Sequence, residues 1–186
     1  MDFSLPFAYF ILFFILFVLV LLGVVLLFIF LAFWISSLKT GVPFVKSKKI
    51  IVERLKELDI LKPNNSFCDL GSGDGGFIYD LAKKFPKVQF VGYENNQLLY
   101  LFAKIFNRRS NLKFYCADIF KVNLSQFDYI YTFLFPELLL KLEPKIKKEA
   151  KKGSIVISNT FTFPTLKPIK IIESPKKLET IYIYKL

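Results

Sequence analysis

Residues 69–76 combine closely spaced glycines with a carboxylate at the start of the run, a pattern that predicts a ligand site. They read Asp-Leu-Gly-Ser-Gly-Asp-Gly-Gly, so Gly71, Gly73 and Gly76 satisfy the G-x-G-x-x-G spacing. Glycine in such a loop lets the backbone turn tightly and approach a nucleotide-like ligand closely. Asp69 sets the charge preference, because its carboxylate would repel a pyrophosphate and attract a cation. The loop therefore favours S-adenosylmethionine, which carries an ammonium and a sulfonium, and favours methyl transfer over hydride transfer.

Two more acidic residues follow later apolar runs. Glu94 lies 23 residues after Gly71, where a carboxylate can accept hydrogen bonds from both ribose hydroxyls, unless it is simply a solvated acid at a strand end. Asp118 can accept from the adenine amino group with Ile119 packed on the ring, unless it is a plain turn aspartate. The predicted cofactor-binding residues are therefore Asp69, Gly71, Ser72, Gly73, Gly75, Glu94, Asn95, Asp118 and Ile119.

Strand-like and helix-like segments alternate around these residues, which predicts an α/β fold with a mostly parallel sheet covered on both faces. Predicted strands cover 66–70, 88–94, 113–116, 127–133 and 154–158, and predicted helices cover 47–61, 75–84, 97–109 and 136–151. Segments 169–173 and 179–184 are predicted to form an antiparallel pair at the end. Because ligands bind outside the carboxyl ends of parallel strands, all three acids would meet at one edge of the sheet.

Two details of the helices follow from residue spacing. Apolar residues in the 97–109 segment fall on one helical face, namely Leu98, Leu101, Phe102, Ile105 and Phe106. Gly153 follows the 136–151 segment and is predicted to be its C-terminal cap, since glycine adopts the left-handed conformation common there.

The N-terminal region has no formal charge from Phe3 to Leu38, a run of 36 residues rich in Phe, Leu, Ile and Val. Because about 20 apolar residues span a bilayer, the sequence predicts one transmembrane helix over roughly residues 7–35, with Trp34 near an interface. The length of the run disfavours a buried core helix, and the lack of a preceding basic residue disfavours a cleaved signal peptide. Lysines 39, 46, 48 and 49 follow it, so the C-terminal side is predicted to be cytoplasmic and the N-terminus outside.

The charge distribution completes the domain prediction of an anchor over 1–38, a basic linker over 39–49 and a ligand-binding domain over 50–186. Residues 46–186 hold 25 of the 26 basic residues and 14 of the 15 acidic ones, a net charge of +11. Such a charge fits nucleic acid, an acidic partner or anionic lipid headgroups. The anchor favours lipid, and no arginine-rich block supports nucleic acid.

The chain contains two cysteines and no histidine. Cys68 and Cys116 fall in apolar strand-like runs that would lie two strands apart in a 3-2-1 sheet, about 9–10 Å, which is too far for a disulfide. Both are predicted to be buried thiols in a reducing compartment, and no zinc site is expected.

These segments resemble motifs of the class I S-adenosylmethionine-dependent methyltransferases. Residues 69–75 match the first motif of that superfamily, 92–94 the second and 117–118 the third. A closer resemblance is to the membrane-anchored protein-lysine methyltransferases related to the ATP synthase c-subunit lysine methyltransferase. It rests on the anchor, on Pro-Phe-Val at 43–45 and on Phe-Thr-Phe-Pro at 161–164.

The resemblance implies a Rossmann-like methyltransferase sheet, S-adenosylmethionine as the cofactor and a lysine of a membrane or membrane-associated protein as the acceptor. Phe135, Pro136 and Phe161 are then candidates for the wall of an acceptor channel, with Phe44 and Phe133 as further candidates, unless they are ordinary packing residues of the core and loops. An apolar channel lowers the pKa of an amine, so the reaction does not require a histidine base.

Three other readings remain beside the lysine methyltransferase. In the first, the methyl acceptor is a lipid, quinone or other membrane small molecule. In the second, the domain is a non-catalytic scaffold that binds cofactor. In the third, the protein is an NAD-linked oxidoreductase, which Asp69 disfavours. A nucleic-acid base is disfavoured as the acceptor, because the segment after the fourth predicted strand lacks the Asn/Asp-Pro-Pro-aromatic signature.

Overall fold

The chain forms two compact units, residues 1–41 and 42–186. A computed structural model describes residues 4–40, 49–174 and 179–186. Most of the first unit is helix α1, Ser4–Thr40. Within it, the 23 residues Tyr9–Leu31 are long and apolar enough to cross a membrane. Residues 41–48 lie outside the described residues, and with them Phe44, the 43–45 motif and most of the predicted linker.

The second unit is built on a seven-stranded sheet with the order β3-β2-β1-β4-β5-β7-β6. The strands are β1 Ser66–Leu70, β2 Gln89–Glu94, β3 Leu112–Cys116, β4 Tyr129–Thr132, β5 Ile155–Asn159, β6 Lys170–Ile172 and β7 Ile181–Lys185. The helices are α2 Lys49–Glu57, α3 Gly76–Lys84, α4 Gln97–Phe106 and α5 Pro136–Glu149. Strands β1 to β5 are parallel, while β7 is antiparallel to both β5 and β6. The predicted α/β methyltransferase sheet with an antiparallel C-terminal pair is therefore confirmed.

Alternating residues of β1 supply a hydrophobic core on each face of the sheet. Phe67 packs in one core with residues of α2 and α3, and Cys68 and Leu70 pack in the other with residues of α5. Because side chains alternate along a strand, Asp69 points to the same face as Phe67. In the sheet register Asp69 lies between Gly92 of β2 and Tyr131 of β4. The strand that leads into the glycine loop is thus central and held on both sides.

Two sequence predictions are wrong, one about the end of a helix and one about the burial of a cysteine. Helix α5 ends at Glu149 with Ala150 as its cap in extended backbone (φ −66°, ψ 143°), not at Gly153. Gly153 has φ +84° and donates its N–H to the Leu186 carbonyl at 2.6 Å, so it shapes the turn into β5 instead. Cys116 is exposed although Cys68 is buried, because β3 is an edge strand of the sheet.

The apolar face of α4 points away from the domain. Ala103 is the buried residue of this helix, whereas α3 buries Phe77, Ile78, Leu81 and Ala82. The exposed large side chains on α4 are Leu101, Phe102, Ile105 and Phe106.

Candidate active site

The glycine loop turns away from the end of β1 and is bound to the end of β2 by backbone hydrogen bonds. The N–H groups of Gly71 and Ser72 both donate to the Tyr93 carbonyl, at 2.8 and 2.9 Å. Gly71, Gly73 and Gly75 have φ values of +86°, +55° and +76°, a region that side-chain-bearing residues avoid. The loop conformation therefore depends on glycine at these positions.

Close packing adds a second requirement for glycine, which comes from Phe114 of β3. A Cβ atom at Gly75 would lie 2.6 Å from the Phe114 ring, and a Cβ atom at Gly92 would lie 2.7 Å from it. A Cβ atom at Gly92 would also lie 2.8 Å from the Ser72 hydroxyl oxygen. Sequence reasoning missed Phe114, since its place over Gly92 follows from the β2–β3 register.

Glu94 joins the glycine loop to helix α4. Its Oε2 accepts from the Gly73 N–H and its Oε1 accepts from the Asn96 N–H, both at 2.8 Å. A carboxylate has about four acceptor positions, so about two remain for a ligand hydroxyl pair. Glu94 is thus placed to hold the loop and to accept from a ribose at the same time.

Asp69 and Ser72 are the buried polar side chains of the loop. Burial raises the pKa of the Asp69 carboxyl well above its usual range, and the negative charge of Glu94 raises it further. A cation beside Asp69 would favour its charged form and reverse that shift. The Ser72 hydroxyl is buried without a hydrogen-bond partner among the described residues, so it has a bond to offer a ligand. These features fit a cationic cofactor.

The remaining predicted cofactor contacts lie at the ends of β2 and β3. Asp118 accepts from the Phe120 N–H at 2.9 Å, and Ile119 is 8% exposed within the second core. Asn95 is exposed, while the neighbouring Asn96 is buried and caps α4 by accepting from Leu98 and Leu99. The ligand roles of Asn95, Asp118 and Ile119 stay predictions.

The predicted acceptor-channel residues come together only in part. The rings of Phe135 and Phe161 lie 5.7 Å apart, and Pro136 is the exposed first residue of α5. Phe133 packs against the first core, whereas Phe161 packs against the second. The pair Phe135 and Phe161 is therefore a better candidate for one wall than the full set.

A polar cluster at the ends of β4 and β5 was not anticipated from the sequence. The Thr132 and Ser158 hydroxyls are hydrogen-bonded at 3.3 Å, and Ser158 donates to the Phe161 carbonyl at 2.6 Å. Asn159 is fully buried, and its Nδ2 has no partner among the described residues. Thr160 follows with φ +69°, which is strained for a β-branched residue. The signal in the sequence was the polar run Ser-Asn-Thr at the end of an apolar strand.

Three comparisons place these features among known proteins. The model of a family described as "ANTKMT methyltransferase domain" matches residues 69–170. The human ATP synthase c-subunit lysine N-methyltransferase is 30% identical over 150 residues, which cover 78% of this chain and 62% of that protein. The "Protein-lysine N-methyltransferase" of Saccharolobus islandicus is 30% identical over 152 residues, which cover 77% of this chain and 92% of that protein.

Solved structures agree on the fold. An RNA methyltransferase from Salinibacter ruber, crystallised with S-adenosyl-L-homocysteine, superposes with a TM-score of 0.70 at 24% identity, covering 76% of this chain and 93% of that one.

The sequence matches cover 62%, 53% and 61% of the human, mouse and rat ATP synthase c-subunit lysine N-methyltransferases. The resemblance drawn from the three motifs is therefore confirmed, and the chain spans little more than half the length of those relatives.

Proposed function

Because this chain belongs to the family of the ANTKMT methyltransferase domain, we propose that it transfers a methyl group from S-adenosylmethionine to a protein lysine at a membrane. The observation that carries the proposal is the convergence of Asp69 and Glu94 on one glycine loop, at the carboxyl end of a central parallel strand. Relatives that match this region are named for lysine methylation, which supports the choice of acceptor.

The chain's own residues would divide the work of holding the cofactor. Glu94 would accept from the ribose hydroxyls, Asp69 would balance the positive charge, and Ser72 would offer its unpaired hydroxyl. Asp118 would accept from the adenine amino group, although it also binds the Phe120 N–H. The cofactor held by these residues would supply an electrophilic methyl group on a sulfonium, and an acceptor amine would attack the methyl carbon in line and leave the sulfur as a neutral thioether.

The acceptor amine must reach that methyl group without its proton. The half-buried Phe135 and Phe161 rings, 5.7 Å apart, offer an apolar wall beside the end of β5. An apolar wall disfavours the charged ammonium form and so lowers the pKa of a lysine placed against it. The rings would also hold the side chain in line with the methyl group, and such positioning lowers the barrier to the reaction.

Helix α1 supports a membrane location for the reaction. Its apolar stretch of 23 residues is sufficient for one crossing, and the lysines that follow favour a cytoplasmic domain. Eight residues, 41–48, separate α1 from α2 in the sequence, so a spanning α1 would keep the domain close to the bilayer.

The test uses the full chain reconstituted in vesicles with methyl-labelled cofactor and membranes from cells that lack the gene. We expect label that resists lipid extraction and is recovered as methyl-lysine after acid hydrolysis. Label that partitions into organic solvent would show that the acceptor is a lipid or quinone and not a lysine. If calorimetry detects cofactor binding but no label is transferred, the domain is a non-catalytic scaffold that binds cofactor.

Matched variants make this test specific to the site. Glu94→Ala should weaken cofactor binding about 100-fold or more and reduce labelling with it. Glu53→Ala removes an exposed carboxylate that is paired with Lys84 on the surface, and it should leave both unchanged. Equal loss in the two variants would indicate general unfolding rather than a cofactor site.

A further inference from the structure

Helix α4 carries an apolar face on its outer side that no other element covers in the part of the chain that the structure describes. The exposed fractions of Leu101, Phe102, Ile105 and Phe106 are 41%, 57%, 52% and 65%. Their spacing puts them on one stripe, and the Phe102 and Phe106 rings are 4.5 Å apart. We call these four residues the α4 face. Large apolar groups clustered in this way on a domain surface indicate an interaction site.

The rest of the helix is fixed, so the α4 face cannot turn inwards. Ala103, on the opposite side, and Phe114 both approach the same point beside Gly75 within 3 Å. Asn96 caps the first turn of α4, and the Asn107 side chain donates to the Asp74 carbonyl at 2.7 Å after the last turn. Burying the α4 face within the domain would break these contacts.

One basic side chain borders the α4 face, and a second follows the end of the helix. At 100° per residue, Lys104 lies about 60° from Leu101 around the helix axis, and Arg108 comes two residues after α4 ends at Phe106. Both are exposed, and Lys104 is held over the Tyr100 ring by a 3.1 Å hydrogen bond to its hydroxyl. A helix whose apolar stripe is bordered by a lysine, with an arginine just after its last turn, is typical of segments that lie in a membrane interface.

We propose that the α4 face inserts shallowly into a bilayer with anionic headgroups. The apolar side chains would enter the boundary between headgroups and acyl chains, while Lys104 and Arg108 would contact lipid phosphates. The net charge of +11 on residues 46–186 attracts the domain to such a surface. The apolar stretch of α1 provides a separate reason for the chain to be at a membrane. A protein partner would have to be acidic to account for this charge as well as for the apolar residues.

Docking through α4 would fix the cofactor site relative to the membrane. The Asn96 N–H that begins α4 donates to Glu94, and Glu94 binds the Gly73 N–H. Two hydrogen bonds thus connect the start of the docked helix to the glycine loop. This inference extends the proposed function, but it concerns lipid contact and does not depend on which acceptor is methylated.

Quenching of a single tryptophan by brominated lipid tests the proposal. The full chain carries Trp34→Phe to remove its native tryptophan, together with Phe102→Trp on the α4 face. The matched control is Leu140→Trp on α5, whose leucine is 61% exposed. In vesicles with about 30% anionic lipid, we expect brominated chains to reduce emission from the indole at position 102 about twofold or more. Emission from the indole at position 140 should stay unchanged.

Charge variants and lipid-free samples separate the other outcomes. Replacing Lys104 and Arg108 with Gln should weaken the quenching in anionic vesicles, with circular dichroism confirming the fold. Absence of quenching at position 102, or equal quenching at both positions, would overturn the proposal. So would a concentration-dependent shift of the position-102 emission in neutral detergent micelles without vesicles, which would assign the α4 face to self-association. Failure of lysine methylation would not alter any of these readings.

Discussion

The two ends of the site are built by different means, although both lie where parallel strands end. At the end of β1, backbone N–H groups and the Glu94 carboxylate hold a loop in which Gly75 has no room for a side chain. At the end of β5, side-chain hydroxyls hold the chain, and Thr160 takes a backbone conformation that suits glycine better. We call these the loop end and the hydroxyl end.

Because the two ends are built differently, we expect them to have different functions. The loop end requires residues without side chains, since a Cβ at Gly75 or Gly92 would collide with Phe114. The hydroxyl end retains strain and a buried Nδ2 of Asn159 without a partner among the described residues, two features that concentrate where substrates bind. Variants at the loop end should therefore change cofactor binding, and variants at the hydroxyl end should change use of the acceptor.

The largest effect is expected for Glu94→Ala. It removes the acceptor for the Gly73 and Asn96 N–H groups as well as the ribose contact. Hydrogen bonds to a charged group contribute about 1.5–3 kcal/mol each, so cofactor affinity should fall about 100-fold or more by calorimetry. A loss below about fivefold would show that the loop end does not depend on this carboxylate.

The pH dependence of cofactor affinity is the next prediction at the loop end. Burial raises the pKa of the Asp69 carboxyl in the cofactor-free protein, and a bound cation would lower it, so binding releases a proton. Affinity should therefore decrease as pH falls through the raised pKa, by up to about tenfold per pH unit.

Asp69→Asn should bind the cofactor more weakly and with a flat pH profile in the same titration. The stability of the cofactor-free wild type should decrease as pH rises from about 4 towards the raised pKa, because the native state retains a proton that the unfolded state releases. The thermal midpoint of Asp69→Asn should not show that decrease. A wild-type affinity that is independent of pH would contradict the role of Asp69.

A smaller effect is expected for Phe161→Leu at the hydroxyl end. The substitution removes the ring contact with Phe135 while leaving a side chain of apolar character. We expect KM for the acceptor to rise about tenfold with cofactor Kd unchanged, since a wall contact of this kind contributes about 1–1.5 kcal/mol. Phe120→Leu, in the same core cluster, is the control and should leave KM unchanged.

The smallest effect concerns strain at Thr160. Asparagine tolerates positive φ far better than a β-branched residue does, so Thr160→Asn should stabilise the protein by about 1 kcal/mol in urea unfolding. Acceptor turnover should decrease while cofactor Kd remains the same. A loss of stability would mean that the Thr160 side chain contributes more than its backbone conformation costs.

The loop end and the hydroxyl end also differ in how well the sequence predicts them. The loop end was predictable because its signals are local: an apolar strand, glycines at fixed spacing and an acid after each strand. The contact between Phe114 and Gly92 was not, because it depends on the register of two strands. The exposure of Cys116 and of the α4 face depended on which strand forms the sheet edge and which way a helix is seated. Thr160 has no pattern of its own, since its strain appears only in backbone angles.

Strand β7 has a consequence for the order in which the sheet is assembled. It lies between β5 and β6 and pairs with both, although it follows both in the chain. During synthesis β6 therefore leaves the ribosome before the strand it must pair with, and β5 keeps one edge open until residues 181–185 arrive. A chaperone that covers an open strand edge would find its binding site on β5 in this interval, and completion of β7 would release it.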